Sequence, residues 1–317
     1  MSRLLVKQPA LLEQERQIGK NDMNTNKKGI TIALSCYILW GILPVYWNLL
    51  TGVSPILILC CRIIFSFIFM LGVLTITGRL QTFRDTLTSK KTMFYLVPAA
   101  LLITINWGLY IWAVNNGRVL DSSLGYYMNP LIAFLLGILL FREKYLKLQL
   151  AAVALAFFGV LISIVAFGSF PVIAICLAVS FALYGVLKKK AQADPAASIA
   201  VESMIITPFA LVFSFLFMQE NIIALRLPEM MLLIGGGVLT AIPLFLYTRA
   251  VIDIPFIIVG FFQYISPSLA MIYGLLSGET PSVSQIISFV FIGLGLITFS
   301  FALLRKTKEA PTTQKKQ

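Results

Sequence analysis

The sequence predicts an all-α membrane protein with ten transmembrane helices, arranged as two inverted five-helix repeats. Three observations lead to this fold class: an apolar composition, ten long apolar segments, and a stretch of sequence that occurs twice. Hydrophobic residues make up 59% of the 317 residues and charged residues 12%, which is about half the charged share of an ordinary soluble domain. The composition therefore predicts that a lipid bilayer surrounds most of the chain.

Ten segments are long enough to cross a membrane, because a helical span needs about 20 apolar residues. Their expected limits are 29–50, 54–77, 93–114, 119–140, 147–167, 170–187, 197–218, 229–250, 254–277 and 282–304. Residues 1–28 contain no apolar run long enough for a signal-peptide core. We expect a disordered cytoplasmic tail there, with Met23 as an alternative start, and a second cytoplasmic tail at residues 305–317.

The internal repeat is clearest between residues 102–137 and residues 239–274. At a constant offset of 137 residues, ten of the 36 aligned positions are identical, where composition alone would give about three. The identical pairs include Tyr110 with Tyr247, Tyr127 with Tyr264, and Pro130 with Pro267. We therefore expect two halves, at residues 29–168 and 169–304, with five spans in each.

Five spans per half is an odd number, so the second half must cross the membrane in the opposite sense to the first. Secondary transporters are often built from such inverted repeats, with the substrate held near the midplane between them. Access then alternates as one repeat rocks against the other. The duplication therefore favours a transport pathway at the interface of the two halves.

Basic residues predict the orientation, because Lys and Arg are retained on the cytoplasmic side of a membrane. Of the 25 Lys and Arg residues, 22 fall in or beside the two tails and the segments that share their side. Only Arg118 and Arg226 fall on the opposite side, and Arg62 is inside a span. Both termini are therefore expected in the cytoplasm. Since the net charge of +12 comes from these short clusters, we interpret it as a topology signal and predict no nucleic-acid partner.

The sequence lacks the residues that several kinds of chemistry usually require. The chain has no histidine, the commonest general base and metal ligand, and no phosphate-binding loop of an ATP-driven motor. Its four cysteines show no C-x-x-C spacing and are interpreted as small packing residues. We predict no catalytic residue, metal or cofactor. A lipid-modifying enzyme, which needs clustered carboxylates, histidines or metal ligands, is disfavoured, and so is a receptor or channel.

Two ionisable residues fall well inside the predicted spans: Arg62 in span 2 and Glu202 in span 7. Each costs about 2.5–3.5 kcal/mol at a helix centre, so each is expected to face a partner or a wet cavity. They occupy corresponding positions of the two halves, and they could form an ion pair. Inversion argues against that pair, because it places Arg62 in the outer half of the bilayer and Glu202 in the inner half. Glu202 is the candidate for proton coupling.

Aromatic and amide residues near the middle of the spans are candidates for binding a substrate. Proline kinks a helix and frees a backbone carbonyl, which is tolerated in a membrane where a cavity or a neighbour satisfies it. Pro130 and Pro267 are therefore expected to kink cavity-lining helices, although Tyr and Trp also serve as interfacial anchors. The candidate substrate-binding residues are Trp40, Asn106, Trp107, Tyr110, Tyr126, Tyr127, Asn129, Tyr184, Gln263 and Tyr264.

Four stretches resemble the RarD group of EamA-domain transporters in the drug/metabolite transporter superfamily. They are residues 37–42, residues 106–116, residues 123–131 and residues 260–267. The resemblance covers about residues 29–304 and implies ten helices as two EamA repeats in a bacterial inner membrane. It also implies a permease or exporter of small molecules, while the substrate, the coupling ion, the direction of transport and the oligomeric state, monomer or homodimer, stay open.

Overall fold

The computed structural model describes residues 8–309 except residues 117, 169, 277 and 279. Those residues form thirteen α-helices and one short 3-10 helix, with no β-strand among them. The α-helices are α1 (Gln8–Trp47), α2 (Pro55–Ile76), α3 (Leu80–Thr88), α4 (Lys90–Asn115), α5 (Val119–Phe141), α6 (Lys147–Phe167), α7 (Val172–Ala191), α8 (Pro195–Phe217), α9 (Gln219–Ile223), α10 (Leu227–Asp253), α11 (Phe256–Phe262), α12 (Ile265–Leu276) and α13 (Val283–Glu309).

Ten helical segments among the described residues are long and apolar enough to cross a membrane, which confirms the predicted fold class. They are Lys27–Leu50, Pro55–Ile76, Lys90–Ala113, Ser123–Phe141, Lys147–Ala166, Val172–Ala191, Pro195–Phe217, Leu227–Asp253, Phe256–Leu276 and Val283–Arg305. Every limit lies within four residues of the predicted one. Span 9 consists of α11 and α12, whereas α3 and α9 are short helices between spans.

The first helix begins earlier than the sequence predicted. Residues 8–28 were expected to be disordered, but α1 continues through them without interruption. Ala, Leu, Gln, Glu and Arg are frequent in this stretch and have high helix propensity. A helix that extends an existing span also needs no new nucleus, which is the costly step of helix formation. Residues 1–7 lie outside the described residues, as do residues 310–317 of the C-terminal tail.

Each half packs its first span against the third and fourth spans of the other half. Helix α1 of the first half packs on α10 and α12 of the second, and its counterpart α7 packs on α4 and α5 of the first. Three further pairs bring each helix against its own counterpart: α2 with α8, α5 with α11, and α6 with α13. This exchange of partners is what a two-fold relation between the halves requires. With five spans in each half, it supports the inverted arrangement.

Small residues allow the closest of these contacts, as is usual between helices in membranes. A Cβ atom added at Gly159 of α6 would lie 2.8 Å from the carbonyl oxygen of Ser288 on α13. A Cβ atom added at the counterpart, Gly295 of α13, would lie 2.9 Å from the carbonyl oxygen of Ala152 on α6. The two repeats therefore use equivalent glycines to bring the backbones of α6 and α13 together.

The two repeated prolines have different effects. Helix α5 continues through Pro130, whereas span 9 is interrupted at Gln263 and Tyr264, one turn before Pro267. Pro267 has no N–H to give to the Gln263 carbonyl, which instead accepts from the Ser266 N–H at 3.2 Å. The missing N–H of Pro267 accounts for this break, although the continuous α5 shows that a proline does not by itself require one. Tyr264 at the break donates its hydroxyl to the backbone carbonyl of Tyr127 at 3.0 Å, so these repeat-equivalent tyrosines meet where the halves cross.

Candidate substrate site

Five aromatic side chains from α1, α7 and α10 form one cluster between the halves, here called the aromatic cluster. The rings of Tyr184 and Tyr247 are stacked, with centroids 5.9 Å apart, and Phe181 lies 5.3 Å from Tyr247. Trp40 lies 5.6 Å from both Tyr37 and Tyr247. The Tyr37 hydroxyl is buried without a hydrogen-bond partner among the described residues. The cluster is thus mostly apolar, with one unsatisfied hydroxyl.

Beside the aromatic cluster, Glu202 forms a buried ion pair with Lys188. Lys188 is 1% exposed and Glu202 is 5% exposed, and the Lys188 ammonium donates to the Glu202 carboxylate and to the Ser198 hydroxyl. The Tyr184 hydroxyl donates to the other oxygen of Glu202 at 3.1 Å. Ser198 also donates to the carboxylate, at 3.2 Å. Glu202 therefore accepts three hydrogen bonds, and Tyr184 links it to the aromatic rings.

The ion-pair partner of Glu202, which the sequence left open, is Lys188. No ion pair between Arg62 and Glu202 exists among the described side chains. The basic residues 188–190 were expected in a connecting loop, but α7 continues to Ala191 and carries Lys188 into the protein interior. Because removal of one partner of a buried pair leaves an uncompensated charge, Lys188 and Glu202 must be considered as one unit.

A second network joins the two halves at the same, predicted cytoplasmic end. The Glu143 carboxylate follows α5 and accepts hydrogen bonds from the backbone N–H groups of Phe256 at 2.7 Å and Ile257 at 2.9 Å. It thereby caps the start of span 9. The Lys189 ammonium lies 3.4 Å from Glu143 and donates to the carbonyl of Ile254 at 2.8 Å. These contacts fasten the ends of α5 and α7 to the connection between α10 and α11.

Arg79 and Asp194 form a further ion pair between the halves at this end. Asp194 also caps α8 by accepting from the N–H of Ala197 at 3.0 Å, as is typical of an Asp at a helix N-cap. With the pair of Lys189 and Glu143, two ion pairs cross from one half to the other at the predicted cytoplasmic end. These ion pairs hold the two halves together at that end.

At the predicted outer end, Arg62 lies in a ring of aromatic side chains, here called the arginine cluster. Its guanidinium carbon is 4.8 Å from the centre of the Trp47 ring and 4.7 Å from that of Trp107, both within cation–π range. The Arg62 Nε donates to the Thr240 hydroxyl at 2.8 Å. The rings of Tyr110 and Tyr126 are 5.8 Å apart, and both tyrosines lie near Arg62. The structure therefore brings Trp107, Tyr110 and Tyr126 together.

A small cavity separates the arginine cluster from the Glu202 network. Its lining includes Trp107 and Thr240 of the arginine cluster, Glu202, and the hydroxyl residues Ser66 and Ser203. The cavity volume is about 20 Å³, which is room for about one water molecule. The lining combines apolar side chains with a few polar ones, and the cavity is too small for a metabolite in this conformation.

A larger groove, of about 380 Å³, lies between α2 and α4 near the predicted outer end. Its lining is largely apolar and includes Ile56, Leu59, Ile111 and Trp112. Trp112 is 48% exposed there. The groove is therefore suited to apolar groups and is separate from the predicted cytoplasmic end.

The predicted amide residues are engaged in helix packing. The Asn106 amide nitrogen donates to the Leu177 carbonyl at 2.9 Å and to the Ser180 hydroxyl at 2.8 Å. The Asn129 amide nitrogen donates to the Ala178 carbonyl at 2.7 Å. Both asparagines therefore fasten α7 to the first half, and Asn106 uses both of its N–H donors. Gln263 is 5% exposed and lies at the break in span 9.

Several residues of these networks were not singled out from the sequence. Lys188 was missed because it follows the apolar part of its span and continues into two more lysines. Tyr247 had a usable signal, since it is the repeat counterpart of Tyr110. Trp47 and Thr240 had none, because only the folded chain brings them to Arg62. The sequence thus located Arg62 and Glu202, with Trp107 and Tyr184 among their neighbours, but not Lys188, Trp47 or Thr240.

A cavity between two related five-span halves is an arrangement that membrane transporters use. The EamA-like transporter family matches the chain twice, over residues 27–165 and 169–301. The chain therefore belongs to the EamA-like transporter family, which confirms the resemblance found in the sequence. It is accordingly a multi-pass membrane transporter.

Curated relatives agree with this family and cover nearly the whole chain. Protein RarD of Salmonella typhi is 37% identical over 88% of this chain and 96% of its own length. The uncharacterized transporter YojE of Bacillus subtilis is 39% identical over 88% of this chain and 95% of its own length. A more distant relative, at 25% identity, is the chloramphenicol-sensitive protein RarD of Pseudomonas aeruginosa, with coverage of 90% and 98%.

A solved crystal structure has the same fold. It superimposes with a TM-score of 0.70 over 88% of this chain and 99% of its own length, at 16% sequence identity. The ten-helix architecture is therefore shared well beyond recognisable sequence similarity.

Proposed function

We propose that the protein is a secondary transporter that moves small, partly apolar metabolites or drugs by alternating access, and that it works as an exporter. The observation that carries this proposal is the small cavity between the two related halves, whose lining includes Trp107, Thr240 and Glu202. The protein would sit in a bacterial inner membrane with both termini in the cytoplasm. We expect it to function as a monomer or homodimer with no nucleic-acid partner.

The networks at the predicted cytoplasmic end are the proposed inner gate. Arg79 with Asp194 and Lys189 with Glu143 are ion pairs that link the halves, and both must break if the halves separate there. In an inverted repeat, opening at one end accompanies closing at the other. The proposed gate would thus alternate with the predicted outer end, where Arg62 lies.

Glu202 is the proposed site of proton coupling. Protonation would remove its charge and leave Lys188 without a counter-charge in a buried place, so proton binding and rearrangement of this network would be linked. Tyr184, which donates to Glu202, would carry that change to the aromatic cluster. If Glu202→Gln leaves transport under a pH gradient unchanged, Glu202 has no coupling role.

The substrate class follows from the lining of the two clusters. Trp40, Trp107 and Tyr184 offer ring surfaces for stacking and apolar contact, and Arg62 and Ser203 offer polar groups. The name of the Pseudomonas relative, a chloramphenicol-sensitive protein, supports an aromatic drug-sized solute. We therefore expect a substrate with a flat ring and a few polar groups.

Solute counterflow in proteoliposomes tests the proposed function. The purified protein is first heated with amino acids, vitamins and chloramphenicol, because a ligand that binds only the folded form raises its apparent stability. Solutes that stabilise it are then loaded into vesicles, and entry of the labelled solute is followed. Saturable counterflow supports a carrier, whereas ungated flux indicates a channel. Absence of flux for every stabilising solute contradicts transport.

A further inference from the structure

Arg62 carries a positive charge that no carboxylate balances among the described side chains. The charge of Glu202, which lies well inside span 7, is balanced by Lys188. Of the five N–H donors of the Arg62 guanidinium, one has a partner, the Thr240 hydroxyl at 2.8 Å. The other four have no hydrogen-bond acceptor among the described residues. An ionised side chain within a span is unfavourable unless it faces a partner or a wet cavity.

The neighbours of Arg62 are suited to holding it in place without neutralising it. Trp47 and Trp107 contact the guanidinium through their rings, and a hydroxyl such as that of Thr240 carries no charge. Gly236 leaves room for this packing, because a Cβ atom added there would lie 3.2 Å from the Trp47 ring. The side chain is only partly buried, so its free donors are accessible.

We propose that Arg62 binds the carboxylate of an anionic aromatic substrate, which supplies the missing negative charge. A planar guanidinium matches a carboxylate with two parallel hydrogen bonds, which an ammonium group does not. The rings of Trp107, Tyr110 and Tyr126 would stack on the aryl group of the same molecule. This proposal rests on the proposed transport function and narrows its substrate class to arylcarboxylates.

A purely structural role for Arg62 predicts a different binding selectivity. If Arg62 only held α2 against α10, it would need the hydrogen bond to Thr240 and the ring contacts, but the protein would bind acids no more tightly than neutral solutes. Selectivity between an acid and its amide therefore separates the two roles. Phenylacetate and indole-3-acetate, each with its neutral amide, are suitable probes because acid and amide have nearly the same shape.

The experiment measures thermal stabilisation of the purified full-length protein by these four probes. We expect both acids to bind the wild type at least tenfold more tightly than their amides, since hydrogen bonds to charged groups are the stronger kind. Arg62→Gln should abolish this preference. Arg226→Gln, which removes an exposed arginine at the same predicted end, should retain it. Equal binding of acids and amides, retention of the preference in Arg62→Gln, or no binding by any probe would overturn the proposal.

A second variant covers the case in which Arg62→Gln does not fold. Arg62→Lys keeps the charge but loses the planar pair of donors, so acids should still be preferred, with affinity reduced about tenfold. Counterflow with the same probes separates this proposal from the proposed function. Counterflow of the amides, unaffected by Arg62→Gln, supports the transporter and contradicts the anion site. Arg62-dependent binding of the acids without any counterflow supports the anion site and contradicts the transporter.

Discussion

The two ends of the helix bundle are held together by different kinds of interaction. At the predicted cytoplasmic end, ion pairs cross between the halves, and Glu143 caps the start of span 9. At the predicted outer end the halves are joined by hydrogen bonds in which at most one of the two partners is charged. Tyr46 donates to the Leu232 carbonyl, Asn48 donates to the Tyr273 hydroxyl, and Arg62 donates to Thr240. No ion pair crosses the halves at that end among the described residues.

This difference shows where a nearly symmetric architecture has become asymmetric. The helix pairs repeat in both halves, and so do Tyr127 with Tyr264 and Gly159 with Gly295. Lys188 and Lys189 have no charged counterpart, since the corresponding positions at the end of span 1 are Pro44 and Val45. The duplicated helices therefore form the scaffold, and charged residues without a counterpart hold one end together more strongly than the other.

The largest effect is expected from Glu202→Ala. It leaves Lys188 as an unpaired buried charge, and the free energy of unfolding should fall by about 3–5 kcal/mol. The double variant Lys188→Met with Glu202→Leu should recover most of this loss, because it removes both charges together. Unfolding in mixed micelles on titration with sodium dodecyl sulfate measures both, with Glu220→Ala on the exposed helix α9 as the control. If the loss of unfolding free energy in the double variant equals the sum of the losses in Lys188→Met alone and Glu202→Leu alone, the ion pair is contradicted.

A smaller effect is expected from Glu143→Gln. The amide oxygen can still accept one hydrogen bond, but the charge that attracts Lys189 and two backbone N–H groups is lost. Since hydrogen bonds to charged groups contribute about 1.5–3 kcal/mol, a decrease in that range is expected. Hydrogen exchange at Phe256 and Ile257 should become faster, because both lose a charged acceptor. Unchanged exchange at these two amides would show that Glu143 does not fasten span 9.

Changes at the predicted outer end should be milder. Tyr46→Phe and Asn48→Ala each remove one hydrogen bond between the halves, for an expected loss of about 0.5–1.5 kcal/mol in unfolding free energy. The same titration in mixed micelles measures the effect. A loss as large as that of Glu143→Gln would remove the proposed difference between the ends.

The smallest effect is expected from Arg79→Gln. Arg79 is 45% exposed in its pair with Asp194, and ion pairs in contact with solvent contribute about 0–1 kcal/mol. Salt should reduce this contribution, since exposed charges are screened, while the buried pair of Lys188 and Glu202 should be nearly insensitive to salt. Unfolding of Arg79→Gln and wild type at low and high salt measures the difference. Equal salt dependence of the unfolding free energy in the two proteins would contradict a stabilising ion pair between Arg79 and Asp194.

Most of the fold was predictable because it depends on signals carried by consecutive residues. Apolar length fixed the ten spans, and the repeat with an odd number of spans indicated their inverted relation. The break in span 9 followed from Pro267. Residues 8–28 belong to α1 where disorder was expected, because helix propensity in that stretch allows the first span to extend. Hydropathy alone carries no information on a segment that is polar but helical.

The candidate site was less predictable because its contacts join distant parts of the chain. Arg62 and Glu202 were identified from their rarity within spans, but their partners depend on packing. Lys188 belongs to a lysine cluster that resembles a loop, and only the register of α7 shows that one of the three lysines faces inward. Asn106 and Asn129 look like binding residues in a sequence, yet their donors hold α7 in place.

Distances between spin labels at the two ends test alternating access most directly. One pair would join Arg84 and Lys190 at the predicted cytoplasmic end, and another Gly52 and Ile223 at the predicted outer end, all of them exposed. Cys61 and Cys176 would be replaced by Ser so that only the introduced cysteines are labelled. Glu143→Gln should lengthen the cytoplasmic distances and shorten the outer ones in the same nanodisc samples. Distances that lengthen at both ends, or change at neither, would contradict alternating access between these halves.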